Sequence, residues 1–428
     1  MKLSRRHFVG LSSGALASTA LLDACKATQE TAALPPSIAS LKSRKSEAVP
    51  IGADEMRART ERSRQLMAAN NLQAIVITTG NSLPYFSAAR WWTSERLFAM
   101  VLPAKGEAFF VCPAFEENRA REQLARGPFG VHADLRTWQE DEDPYVRVAQ
   151  GCADLGIRTG MLGIEEKTPF VFSNGIGAAL PAVQTVSATP VTAGCRMIKS
   201  DHEIALMRLA SQVTLAAYAA AYQALTPGMT QHQFADLVKA AHEQLGFNGS
   251  AEVQVGEYSA LPHGSVRSQK VQEGTILLMD GGCTVEGYAS DISRTFVLGE
   301  PSDKMKRVFD IVHRAQSAAL ATARAGLPCE AVDAAARKVI VDAGYGPGFE
   351  YFTHRVGHGI GMDGHEWPYL VHGDKTPLQP NMVFSDEPGI YIPGVFGVRL
   401  EDDMHITADS AELFTPQSDS LEQPFPAK

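Results

Sequence analysis

Four acidic residues and one histidine in the second half of the chain have the types and spacing to hold divalent metal. Residues 275–296 read as two apolar strands joined by a turn centred near Val285-Glu286. Pairing about that centre sets Asp280 opposite Asp291, and directly paired hairpin residues share a face with side chains about 5 Å apart. Two carboxylates placed that way inside a sheet repel, and are driven to protonate unless a cation lies between them. Residues 384–402 repeat the arrangement around Pro393-Gly394, which makes Glu387 face Glu401. One acidic pair of this kind is an ordinary edge feature. Two in one chain, each flanked by apolar strand residues, point to a shared metal site. Between the hairpins runs His354-Arg355-Val356-Gly357-His358, followed by His365-Glu366, a segment too broken by glycine for a stable helix. Its imidazoles therefore sit on extended or looped backbone. One imidazole with four carboxylates makes a mixed oxygen–nitrogen ligand set that suits manganese, cobalt, iron or zinc better than copper or a thiolate centre.

These groups need strands to carry them and helices to cover the strands. In the second half, residues 201–225 are rich in Ala, Leu, Met and Glu and predict a long helix ended by Pro227-Gly228. Residues 230–245 predict another, with Thr230 as its N-cap. After Gly246 the pattern turns to β, with strands expected at 275–280, 290–298, 382–387 and 395–406 and a helical insertion at 304–343. Helices outside a mainly antiparallel sheet make an α+β unit. The first half differs. A helical pattern at 54–71 precedes the apolar run 74–78, further strand signals follow at 97–103, 108–111 and 160–164, and 116–124 reads as a helix. That alternation predicts an α/β unit over residues 51–190.

A chain of 428 residues suggests two domains or one large enzyme domain, and its hydrophobic share of 45% and charged share of 20% are those of a soluble globular protein. Its net charge is −9, so the surface repels phosphate backbones and nucleic acid is excluded as a partner. Ser4-Arg5-Arg6-His7-Phe8 leads into a weakly apolar stretch, the layout of a twin-arginine export leader over residues 1–25, which predicts a periplasmic or otherwise exported protein. Leu22-Asp23-Ala24-Cys25 resembles a lipoprotein cleavage box, so a lipid anchor at Cys25 is one expectation and ordinary cleavage nearby the other. Residues 26–50, rich in Ala, Ser, Pro and Lys, read as a linker. The 6 cysteines are scattered without metal-type pairing, and no disulfide framework follows from them.

Taken together, the ordered acids and histidines resemble those of the pita-bread metallopeptidases, the group of Xaa-Pro aminopeptidases, prolidases and creatinases. The resemblance covers nearly the whole exported chain. It implies a creatinase-type α/β N-terminal domain at residues 51–195 and a pita-bread catalytic domain at 196–428, entered through Arg196-Met197-Ile198-Lys199-Ser200. It further implies two divalent metal ions, with manganese placed ahead of cobalt, zinc or iron. Asp280 would bind one, His358 and Glu387 the other, and Asp291 and Glu401 both. Catalytic roles fall to His263, His365 and Glu387, the histidines on the scissile carbonyl and Glu387 as proton shuttle. His263, His354, His365 and Arg399 would contact substrate. Arg355 departs from the pattern, standing where many members have a smaller residue. Cys283 reads as packing, and Trp91-Trp92 either belong to the N-terminal core or reach a neighbouring subunit's pocket. The activity implied is cleavage of the bond between a first residue and a proline at the second position of a peptide, with an aminopeptidase placed ahead of a dipeptidase. A creatinase-type C–N hydrolase and a non-catalytic peptide-binding member of the same fold are the other readings. A homodimer or higher oligomer is implied as well.

Overall fold

The computed structural model describes residues 33–425; the expected export leader and Cys25 lie outside the described residues. In the first half, a six-stranded mixed sheet is built around Leu72–Ile77, which pairs antiparallel with Ala99–Pro103 and parallel with Gly160–Ile164. Side chains alternate across a strand, and here both faces are apolar. Ile75, Ile77, Met100 and Leu102 join one core, while Ala74, Val76, Ala99 and Val101 join the other. Burial on both faces explains why these strands read as continuous apolar runs.

The second half opens with the helix Asp201–Tyr222. Its first turn is closed by a reciprocal capping box in which the Ser200 hydroxyl accepts from the Glu203 N–H and the Glu203 carboxylate accepts from the Ser200 N–H. Gln231–Leu245 has the same device at Thr230 and Gln233, and ends on Gly246 at a φ of 93°. Both helices cover one face of the antiparallel sheet formed by Asn248–Val255, Ile276–Val285 and Ile292–Val297, where Tyr218, Phe234 and Val238 meet Val253, Val255, Met279 and Phe296. The expected helical insertion is two helices, Asp303–Thr322 and Cys329–Asp342, broken at 323–328. They pack Val312 and Ile340 into a core with Phe384, Val398 and Met404. Each hairpin is thus backed by its own helix pair, and alternation sends its acids away from that core.

The expected linker is not free chain over its last part. Ile38 is fully buried among the residues of Asp201–Tyr222, the Ser37 hydroxyl donates to the Ala220 carbonyl at 2.8 Å, and the Arg44 N–H donates to the Leu245 carbonyl at 2.9 Å. The two halves are joined by buried ions. Arg196 pairs with Glu366 and, at 2.6 Å, with Asp363, while Lys199 lies 3.3 Å from Glu366. A second tie runs from Arg59 to the Tyr288 hydroxyl at 2.8 Å and to Glu203 at 3.3 Å.

One arginine fixes the loop that leads to the histidine segment. All the N–H groups of Arg337 are engaged: two bond the Asp333 carboxylate at 2.9 Å, and the others reach the carbonyls of Gly348, Phe352 and His354 at 3.1, 2.8 and 2.7 Å. Asp333 also accepts the Val356 N–H at 3.0 Å. Replacing Arg337 by Met would leave Asp333 buried without a counter-charge and three carbonyls without donors. We expect a loss of about 3 kcal/mol in denaturant unfolding, with Arg337→Lys recovering less than half because an ammonium cannot span the same acceptors. Equal stability of R337M and wild type would show that the loop is held by its packing alone.

Burial pushes His242 from 6.5 down to about 4, although the Val238 carbonyl, 2.9 Å from Nδ1, favours its charged form. Between those two pH values the unfolded chain holds a proton that the folded chain lacks, so stability falls as pH is lowered through that window. His242→Gln removes the effect. Between pH 7 and 4.5 the wild type should lose about 2–3 kcal/mol more than the variant, measured from urea midpoints; parallel curves would exclude a role for His242.

Candidate active site

The turn of the first hairpin is Glu286-Gly287, with φ of 50° and 94°, a two-residue loop whose left-handed centre suits the twist of the flanking strands. This corrects the expected register by two residues. Asp280 pairs with Ser293 rather than Asp291, and Asp291 is its diagonal neighbour. A shift of two keeps every side chain on its face, so both carboxylates still point to the same side. The second hairpin has the expected register, with Gly389 opposite Arg399 on one side of the acids and Asp386 opposite Asp402 on the other. Glu387 and Glu401 face each other in a gap between these ladders. Pro388 has no N–H to continue the pairing, and its carbonyl accepts a long 3.4 Å bond from Leu400. The expected strand 395–406 is therefore two, Phe396–Arg399 and Asp402–Ile406. His358 lies on the short strand Gly357–Gly359. Glycine is required beside both groups of candidate ligands: a Cβ on Gly282 would collide with the Ser290 carbonyl, and one on Gly357 with that of Ser385.

All nine residues singled out in the sequence line one cavity of ≈ 150 Å³, together with Arg355. Ligand atoms of Asp280, Asp291 and Glu401 lie within 4.8 Å of one another, as do those of His358, Glu387 and Glu401. A further grouping of Asp291 with His358 brings in His365, whose ring stacks on that of His358 with centroids 3.8 Å apart. A larger recess of ≈ 390 Å³ at the edge of Asn248–Val255 shares only His263 with this site.

Electrostatically the cluster is unbalanced without a cation. Burial pushes the Asp291 carboxyl well above the usual range, and Asp280 adds to it. Burial does the same to Glu401, reinforced by Asp291, Glu387 and Asp280 and opposed by Arg399. Burial would raise Glu387 too, but the hydrogen bond from protonated His358 and the charge of Arg399 bring it down to about 2. His358 Nδ1 is 3.1 Å from the Gly359 carbonyl, which assigns one ring proton there; Nε2, 3.3 and 3.8 Å from Glu387 and Asp291, shares a second proton with Glu387, and a cation taking that proton's place would meet the freed lone pair. A lone pair aimed at two carboxylates fits a divalent cation between them, and the oxygen-rich donor set fits a hard or borderline one.

Arg399 is buried and committed to the protein. Its donors reach Asp280 at 2.6 Å, Ser293 at 2.9 Å, and the Pro262 carbonyl and Tyr391 hydroxyl at 3.1 Å. His354 stands between the Tyr391 hydroxyl at 2.7 Å and the Arg355 carbonyl at 2.8 Å. Burial, then the neighbouring His358, hold His365 at about 4. Cys283 is buried with its thiol on the Ala210 carbonyl, as packing. Trp91 belongs to the N-terminal core, and Trp92 is exposed with Arg119 stacked 3.9 Å from its ring.

Three positioning groups were missed in the sequence. The Ser293 hydroxyl lies 2.8 Å from Asp280 and 2.6 Å from Glu401, linking the two hairpins. Tyr391 joins His354 to Arg399, and the Ser385 hydroxyl accepts the His358 N–H at 3.0 Å and lies 3.2 Å from Glu387. Strand alternation could have found Ser293, which is two residues from Asp291, and Ser385, two from Glu387.

Comparison with known proteins assigns a family to each half of the chain. Residues 205–408 match the model of metallopeptidase family M24, and residues 59–198 that of the creatinase/prolidase N-terminal domain. A probable dipeptidase PepE of Mycobacterium tuberculosis is 38% identical over 346 residues, 79% of this chain and 89% of its own length. An Xaa-Pro dipeptidase of Lactobacillus delbrueckii subsp. lactis is 32% identical over 367 residues, 82% of this chain and 95% of its own. The crystal structure of dipeptidase PepE from Mycobacterium ulcerans superposes with a TM-score of 0.82 at 34% identity, over 88% of this chain and 100% of that one. That of an X-Pro aminopeptidase from Thermotoga maritima gives 0.73 at 29% identity, over 85% and 99%. A pita-bread catalytic half behind a creatinase-type domain, a cavity walled by acids and histidines, and relatives alike over nearly their full length make this chain a member of metallopeptidase family M24.

Proposed function

We propose that the chain is an Xaa-Pro hydrolase that uses two divalent cations, manganese foremost, held by Asp280, Asp291, His358, Glu387 and Glu401. The convergence of these five residues with His263, His354 and His365 on one cavity carries the reading. When bound, such cations acidify water and polarise a carbonyl, the two things amide hydrolysis needs. The protein's own groups do the rest. Glu387, ionised throughout the neutral range, accepts the proton of the attacking water and passes it to the leaving proline nitrogen. His263 and neutral His365 donate to the scissile carbonyl oxygen as it gains charge, a contribution of roughly a few kcal/mol per donor. His354 is kept uncharged by burial and steadied by Tyr391, and so contacts substrate without repelling the cations.

Of the two substrate lengths, dipeptides are placed first, reversing the expected order, because relatives similar over most of their length carry the name dipeptidase. The twin-arginine signature supports export as part of the same proposal. Chelation should abolish hydrolysis of Ala-Pro, and manganese should restore it. Glu387→Gln should lower kcat by about 10²–10³-fold, or more if metal is lost with it. Metal-loaded protein that cleaves neither Ala-Pro nor longer Xaa-Pro peptides would end this reading.

A further inference from the structure

We infer that Arg355 reads substrate length by pairing its guanidinium with the free α-carboxylate of a dipeptide. The inference rests on the hydrolase reading above and adds the group that recognises the far end of the substrate. Arg355 is half-buried and lines the same cavity as the metal-site acids. Its Nη2 lies 3.4 Å from His365 Nδ1, and its guanidinium stacks 4.1 Å from the centre of the Tyr369 ring. A guanidinium can only donate, so this contact makes Nδ1 an acceptor and puts the ring proton on Nε2.

Among the described residues Arg355 has no carboxylate partner; its contacts are the neutral ring of His365 and the face of Tyr369. The other cations nearby are already paired. Arg399 holds Asp280 at 2.6 Å. Lys167 and Arg196 line an adjoining cavity of ≈ 240 Å³ with His365 and Tyr369, but both are spent on Asp363, at 2.8 and 2.6 Å. Arg355 is the wall charge that substrate must complement.

Reach selects the complement. With His365 at the scissile carbonyl, the carboxylate of a dipeptide lies one residue further on, about 3.5 Å away. Arg355 stands on that wall, its Nη2 3.4 Å from Nδ1, the nitrogen of His365 turned away from the carbonyl. In a longer peptide an uncharged amide occupies this place, and the terminal carboxylate moves outward by roughly 3.5 Å per residue. The planar fork of an arginine held flat on Tyr369 is suited to a two-oxygen partner.

The test compares kcat/KM for Ala-Pro, Ala-Pro-NH2 and Ala-Pro-Ala on manganese-loaded wild type, Arg355→Met and Arg355→Lys. Wild type should prefer the acid over its amide. In R355M the acid-to-amide ratio should fall about 10- to 100-fold, through KM for the acid rather than kcat, and R355K should recover part of it. An unchanged ratio, whether R355M slows both substrates alike or neither, overturns the assignment. Absence of cleavage of all three by wild type would instead sink the underlying hydrolase reading.

Discussion

Four carboxylates buried around one cavity repel each other, and much of the catalytic half is arranged to hold them against that repulsion. Burial drives Asp291 and Glu401 toward protonation, and each neighbouring acid adds to the tendency. Loops would let such groups move apart. Sheet strands backed by packed helices do not, because moving one acid means shifting a whole ladder and the core beneath it. The only cation built into the centre is Arg399 among the described residues lining it beside Arg355, and it is tied to the Asp280 hairpin by a carboxylate and a serine hydroxyl. On the proposed reading divalent ions supply the remaining compensation, so the charge that destabilises the cluster would also give it affinity.

Geometry follows from two ladders that stop in different ways. In one, a two-residue turn with two left-handed residues sets the register, and Asp280 and Asp291 share a face diagonally. In the other, proline interrupts pairing at the level of Glu387 and Glu401, which frees their backbone from a tight ladder while the flanking pairs keep them opposed. Ser293 bridges the two. Asp386, next to Glu387, is buried with neither oxygen bonded, and burial together with Asp402 pushes its carboxyl well up. Nothing in the structure explains why an acid stands there.

Much of this was legible in the chain itself. Period-two apolar runs and the order of acids and histidines locate the hairpins, and Ser200 and Thr230 announce the two long helices with Glu or Gln three residues on. What escaped was what depends on partners distant in sequence. The first turn was placed one residue early, since Glu286 in a left-handed conformation is not a pattern that hydrophobic spacing reveals. The linker composition of residues 26–50 gave no sign that Ile38 would find a socket between helices. The links made by Ser293, Tyr391 and Arg337 connect segments up to 108 residues apart and become visible only in three dimensions.

The salt cluster between the halves gives the molecule a chronology. Glu366 takes charge from Arg196 and Lys199, and its backbone follows directly on His365. The last acid of the cavity in chain order is Glu401. A nascent polypeptide therefore carries an unfinished cavity until Glu401 has been made, and His365 has the backing of the salt cluster only when Arg196 and Lys199 are in place against Glu366. Completing the cavity therefore needs segments from residue 196 to residue 401 together, and no single hairpin can supply it.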